Sequence, residues 1–144
     1  MAEETKIKGI ESGRAKFAWE CVNKVVQQWK EEKDKKKLQE YKAYTKKIPM
    51  YIKTNGLGAT LAFMLSKKDK EAYQKLGQQI TEWLKQAPVQ IIDLENANFK
   101  TLVEKIVSLN SSSYRALTIE VLAFLNWLRR FAEGLIEEGE GNET

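Results

Sequence analysis

Apolar residues recur at three- and four-residue steps along most of this chain, and strand-like alternation is absent. From about Glu4 to Glu32 the positions Ile7, Ile10, Phe17, Ala18, Cys21, Val22, Val25 and Trp29 predict one long amphipathic helix. A break near Asp34 leads into a polar, lysine-rich stretch, with Leu38, Tyr41 and Tyr44 three residues apart. It reads as a second, mostly solvated helix, and Lys35–Lys37 as a wet connector. Pro49 suits the first turn of a further short helix, where its missing N–H costs nothing, and Asn55-Gly56 suits that helix's end.

The run "LGATLAFML" (57–65) is apolar on nearly all sides, which predicts a helix in the middle of a bundle. Gly58, Ala59 and Ala62 would allow a neighbour to come close. Ser66, with Asp69 three residues later, resembles the start of the next helix. That helix carries Tyr73, Leu76, Ile80, Trp83, Leu84 and Ala87 and stops at Pro88. "PVQIIDLENA" is the candidate for the longest loop. A short helix begins near Asn98 and holds Phe99, Leu102, Val103, Ile106 and Val107; "NSSS" (110–113) is a turn rich in capping residues. The last helix runs to about Glu137, with Leu117, Val121, Phe124, Leu125, Leu128, Phe131, Ala132 and Leu135 inward. The prediction is all-α: a compact bundle of six or seven helices, one domain over 1–137, and an acidic flexible tail over 138–144.

Composition narrows the function. The chain has 144 residues, one cysteine, no histidine and a net charge of +4. One cysteine excludes an internal disulfide and any multi-cysteine metal site. The absence of histidine removes the commonest general base and metal ligand. Nucleophile-elbow and phosphate-loop motifs are missing, and "TNGLGAT" offers only a G-x-G fragment. Its turn onto a helix N-terminus could hold an anion, but a plain helix–turn–helix explains the same residues. No catalytic residue, cofactor, metal or small-molecule substrate is therefore expected. With no apolar span and no signal-peptide pattern at the N-terminus, the expectation is a cytoplasmic protein without membrane contact.

The charge is unevenly placed. Residues 1–88 hold 19 Lys/Arg and 11 Asp/Glu, whereas 89–144 hold 5 and 9. A basic front of this kind can meet a polyanion. Lys46, Lys47, Lys53, Lys67 and Lys68 flank the expected ends of two short central helices, and Lys24 sits on the flank of the first helix. Together they form a candidate patch for sequence-blind nucleic-acid binding, with Tyr44 and Tyr51 nearby to stack bases. Arg14 and Glu120 each interrupt an apolar stripe. Either they meet as a mostly buried ion pair that fixes helix register, or Arg14 points outward to a phosphate.

Three blocks then carry a resemblance: "RAKFAWECV" in the first helix, "IPMYIKTNGLGATLAFMLSK" in the centre and "YRALTIEVLAFLNWLRRFAEG" in the last helix. Together they cover about a third of the chain and resemble the small α-helical subunit of Cmr-type (type III-B) CRISPR RNA-silencing complexes. The resemblance implies a non-catalytic helical bundle that stacks with copies of itself as a minor filament. It implies contact with other subunits, and with target RNA held along the crRNA. On that pattern Arg14, Lys53, Asn55 and Lys67 are candidates for contact with RNA or a neighbouring protein. Arg115, Arg129 and Arg130 would serve contacts within the bundle or between subunits. Lys24, Lys46, Lys47 and Lys68 rest on charge alone. A purely structural spacer and a stand-alone nucleic-acid-binding module are the alternatives.

Overall fold

The computed structural model describes the backbone of residues 2–88 and 90–138 and, within these, the side chains from Gly9 onward. Six α-helices and no strand are found among them: α1 (Ala2–Gln28), α2 (Lys35–Asn55), α3 (Leu57–Ser66), α4 (Glu71–Gln86), α5 (Phe99–Ile106) and α6 (Ser111–Leu135). A 3-10 turn, Glu32–Asp34, precedes α2. The predicted core position Ile7 lies outside the described side chains.

All six helices pack on one core. The long helices α1 and α6 share the largest interface, α2 lies against α4 and α6, and α3 and α5 close the end beside α4. The buried sets follow the predicted stripes: Ala18, Val22 and Val25 from α1, Leu76 and Ile80 from α4, Leu102 and Ile106 from α5, Leu117, Val121 and Leu128 from α6. Gly77 has a packing reason. A Cβ there would run into the ring of Phe99, so only glycine lets that ring lie against the α4 backbone.

The helix ends obey local chemistry. Asn98 caps α5 by accepting from the Thr101 N–H at 2.9 Å, and Asn110 caps α6 by accepting from the Ser113 N–H at 2.8 Å. Ser111–Ser113 are thus the first turn of α6 rather than a turn before it. Gly56, with φ 92° and ψ 158°, takes a conformation essentially confined to glycine and makes the sharp bend from α2 to α3. The connection between α4 and α5, the expected long loop, is pinned by buried Leu94 and Ala97; the Lys85 ammonium donates to the Ala97 carbonyl at 3.2 Å.

Five further expectations need correction. Pro49 lies inside α2, which is one continuous helix and not two. α2 is also no solvated helix: Tyr41 and Ile48 are fully buried, and the Tyr41 hydroxyl donates to Gln79 Oε1 at 2.6 Å. Packing of this stripe outweighs the hydrogen bond that proline cannot make. Lys35–Lys37 form the first turn of α2; Lys35 is paired with Glu32, and Lys37 with Asp34 and Glu71, which offsets cations at the positive end of the helix dipole. Ser66 closes α3, its hydroxyl donating to the Phe63 carbonyl, and α4 begins only at Glu71. Finally, α3 is not enclosed: Leu57, Leu61 and Met64 are buried, but Ala59, Ala62 and Phe63 face outward. Only Gly58 serves close approach, its N–H donating to the Tyr114 hydroxyl at 2.7 Å.

At the far end, Glu138 pairs with Lys42 at 3.0 Å, and the same ammonium donates to the Ile136 carbonyl at 2.9 Å. The rest of the predicted tail lies outside the described residues.

Candidate nucleic-acid interface

The basic candidates divide by what they touch. Arg14 is held within the fold. Its Nε and Nη2 donate to the two Glu120 oxygens at 2.7 and 2.9 Å, and its Nη1 donates to Glu11 at 2.7 Å. Trp83 Nε1 donates to the same Glu120 carboxylate at 2.9 Å. Hydrogen bonding to Glu120 raises the Arg14 pKa further. Burial alone would raise the Glu120 carboxyl, but the Arg14 and Trp83 hydrogen bonds and the Arg14 charge outweigh it and hold it below the ordinary value. Of the two readings of Arg14, the register-fixing pair is the one present.

The six lysines behave differently. Lys24, Lys46, Lys47, Lys53, Lys67 and Lys68 are all exposed, and none is paired with a carboxylate among the described residues. By contrast Lys37, Lys42, Lys70 and Lys85 all have acidic partners. A sequence signal for this was in view: the 28 positions from Tyr41 to Lys68 contain six lysines and no Asp or Glu.

Helical geometry arranges three of them. At about 100° per residue, Lys46 and Lys53 lie on one edge of the outward face of α2 and Lys47 on the other, about 120° away, with Met50 between. Met50 is 65% exposed. Tyr51 follows Lys47 and leads into a groove of about 510 Å³ between α2 and α3, lined by Tyr51, Asn55, Ala59, Thr60 and Phe63. Lys67 lies against one of these residues, its Nζ 5.2 Å from the centroid of the Phe63 ring. Because α2 is unbroken, Lys46 and Lys47 are mid-helix residues and not at a helix end. Lys24 stands apart, in a groove between α1 and α4 with Lys75, Glu20 and Glu82.

The aromatic candidates also separate. Tyr44 is buried and stacked on Tyr73, ring centroids 3.6 Å apart, so its faces are occupied; burial, with Glu40 near, pushes its phenol up to about 12. Tyr51 is half-buried, edge-on to Phe63. Phe63, which the sequence reading placed inside the bundle, is the aromatic residue that opens to solvent here, at 40% exposure. The G-x-G turn holds no open cradle, since the Gly56 N–H donates to Ile52 and the Gly58 N–H to Tyr114. Among the other arginines, Arg129 pairs with Glu133 at 3.8 Å, Arg115 lines a groove with Tyr114 and Thr118, and Arg130 is exposed.

No cluster of three potential metal ligands occurs among the described residues, and no described helix is long and apolar enough to cross a membrane. Cys21 is buried, which pushes its thiol up to about 12 and leaves it un-ionised.

The sequence matches the Cas_Cmr5 family of CRISPR-associated proteins over residues 10–135. It is 33% identical over 99 residues to the CRISPR system Cmr subunit Cmr5 of Thermus thermophilus, covering 69% of this chain and 77% of that protein. The crystal structure of a CRISPR-associated Cmr5 family protein from Thermus thermophilus superposes with a TM-score of 0.69 at 30% identity, covering 88% of this chain and 97% of that one.

Proposed function

Because this chain belongs to the Cas_Cmr5 family of CRISPR-associated proteins, we propose that it is a non-catalytic subunit of a type III-B Cmr ribonucleoprotein that helps hold target RNA along the crRNA. The observation that carries the RNA-holding part is the unpaired, exposed state of Lys46, Lys47 and Lys53 on α2 and of Lys67 beside the Phe63 ring. An unpaired lysine keeps a counterion cloud that a phosphate displaces, and this release supplies most sequence-blind affinity. Lys24, in a separate groove, stands outside that role; Lys68, unpaired in the turn after α3, and Asn55, in the groove lining, extend it; and Arg14 supports it from within the fold.

In this reading the subunit stacks with neighbouring copies as a minor filament beside the other Cmr subunits. The excess of cations in residues 1–88 and of anions in 89–144 supports head-to-tail association, which leaves open ends. A non-catalytic role fits a chain without histidine whose single cysteine is buried.

The test is a complex assembled from purified subunits and guide RNA, with target-RNA affinity measured against salt. Reversing Lys47, Lys53 and Lys67 to Glu should leave the complex assembled and lower its affinity. It should also flatten the log–log salt slope by about 0.7 per lost contact. Unchanged affinity and slope would sink the RNA-holding role, and loss of this subunit from the complex would turn the reading to a protein spacer.

A further inference from the structure

We propose that the groove between α2 and α3 receives one unstacked nucleobase, lying on the Phe63 ring and met at its edge by Asn55. This rests on the RNA-holding reading and names the part of the RNA that the face takes beyond its phosphates.

Phe63 is an unusual surface residue, a ring 40% exposed yet fixed in place. Tyr51 and Tyr73 stand across it at 84° and 78°, with centroids 6.3 and 5.6 Å away. Such edge-to-face contacts orient the ring before anything binds. Tyr73 is itself clamped against Tyr44, so the ring is buttressed from the core. Ala59 and Thr60 keep the groove open where larger side chains would fill it, and its volume of about 510 Å³ is within the range of small-ligand sites. The Asn55 amide has no hydrogen bond within the described chain and presents both a donor and an acceptor, the pair a base edge requires.

Charge decides between occupants. No carboxylate lines the groove, and the Lys67 ammonium lies over the Phe63 ring. A base stacking on that ring takes the place of the ammonium, which then swings on its flexible stem to meet the adjacent phosphate. Single-stranded nucleic acid supplies a flat π-face, a hydrogen-bonding edge and an adjacent anion together. An apolar protein helix would match the ring but strand the lysines. An acidic peptide would match the lysines and leave the ring and amide without a counterpart.

The experiment uses the assembled complex carrying Phe63→Ala, Phe63→Leu or Phe63→Trp, titrated with target RNA and with the same RNA made abasic at one position at a time. Leucine keeps the apolar packing and lacks the π-face, so it separates stacking from folding. The expected result is about a tenfold loss of affinity for F63A and F63L, retention by F63W and an unchanged salt slope. At one register of the RNA the abasic substitution should weaken the wild-type complex equally and F63A no further. If the Phe63 variants bind as wild type while the lysine reversals do not, the base site is wrong and the phosphate reading survives. Indifference to both sets overturns both. Loss of the F63L subunit from the complex would assign the groove to a protein neighbour and overturn the proposal.

Discussion

The junction of α1, α4 and α6 and the outward face of α2 and α3 treat charge in opposite ways. At the junction the guanidinium of Arg14 has two carboxylate partners, and Glu120 serves both Arg14 and the Trp83 indole. The rings of Phe17, Trp83 and Phe124 surround them with centroids 5.7–5.9 Å apart. On the outward face Lys46, Lys47, Lys53 and Lys67 have no acidic partner, and Phe63 is 40% exposed. A charge already matched has little to offer a ligand, while an unmatched one adds little to the fold. Stability and binding should therefore be separable by mutation between the two regions.

The largest expected effect is at the junction. Glu120→Ala removes the acceptor from both Arg14, whose side chain is 15% exposed, and Trp83, which is 2% exposed. Leaving one partner of such a pair behind should cost about 3 kcal/mol, read as the loss of unfolding free energy in urea. Arg14→Lys keeps the charge but loses the two-pronged fork on Glu120, and should cost about 1 kcal/mol. Were E120A the milder of the two, the junction would not be the stabilising region described.

The junction was within reach of sequence reasoning because it obeys helical spacing: Arg14 sits on the stripe of Ile10 and Phe17, and Glu120 on that of Leu117 and Phe124. Two opposite charges on inward stripes have to find each other or remain unpaired at a cost. The outward face was less legible. Pro49 marks a helix start by local rules, yet the buried Tyr41, Ile48 and Ile52 carry the helix through it, and no local rule weighs tertiary packing against a lost hydrogen bond. Phe63 lies in a run so apolar that composition buries it, although a ten-residue helix at the edge of a bundle has only one side to bury. The lysines were found from charge, but whether each had a partner depended on contacts distant in sequence, such as Lys70 with Glu40 and Lys42 with Glu138. Only the structure distinguishes Lys42 from Lys46.

Acid sharpens the comparison further. Glu120 is held below its ordinary value of 4.5 when folded, so the unfolded chain takes up this proton first as pH falls. The stabilisation from its ionised form is complete above about 4.5 and declines as pH drops through the lower folded value. Unfolding of wild type and Glu120→Gln, compared from neutral pH down to about pH 3, should show a constant gap that narrows in that acidic range. A gap of the same size throughout would mean that Glu120 does not act as the ionised partner.

The smallest effects belong on the outward face, and their smallness is the content of the prediction. Lys47→Gln and Lys53→Gln remove charges with no intramolecular partner, so the urea midpoint should move by less than about 0.5 kcal/mol equivalent. Lys67 provides an internal control, because its ammonium lies over Phe63 and an exposed cation–π contact contributes about 0.5–1 kcal/mol. Lys67→Gln should therefore be measurably the least stable of the three. Equal and sizeable losses from all three would mean that the outward lysines hold the fold together, and the separation of stabilising from binding charge would fail. Neutrality of Lys47 and Lys53 alongside lost RNA affinity in the assembled complex would place their charge at the service of the ligand alone.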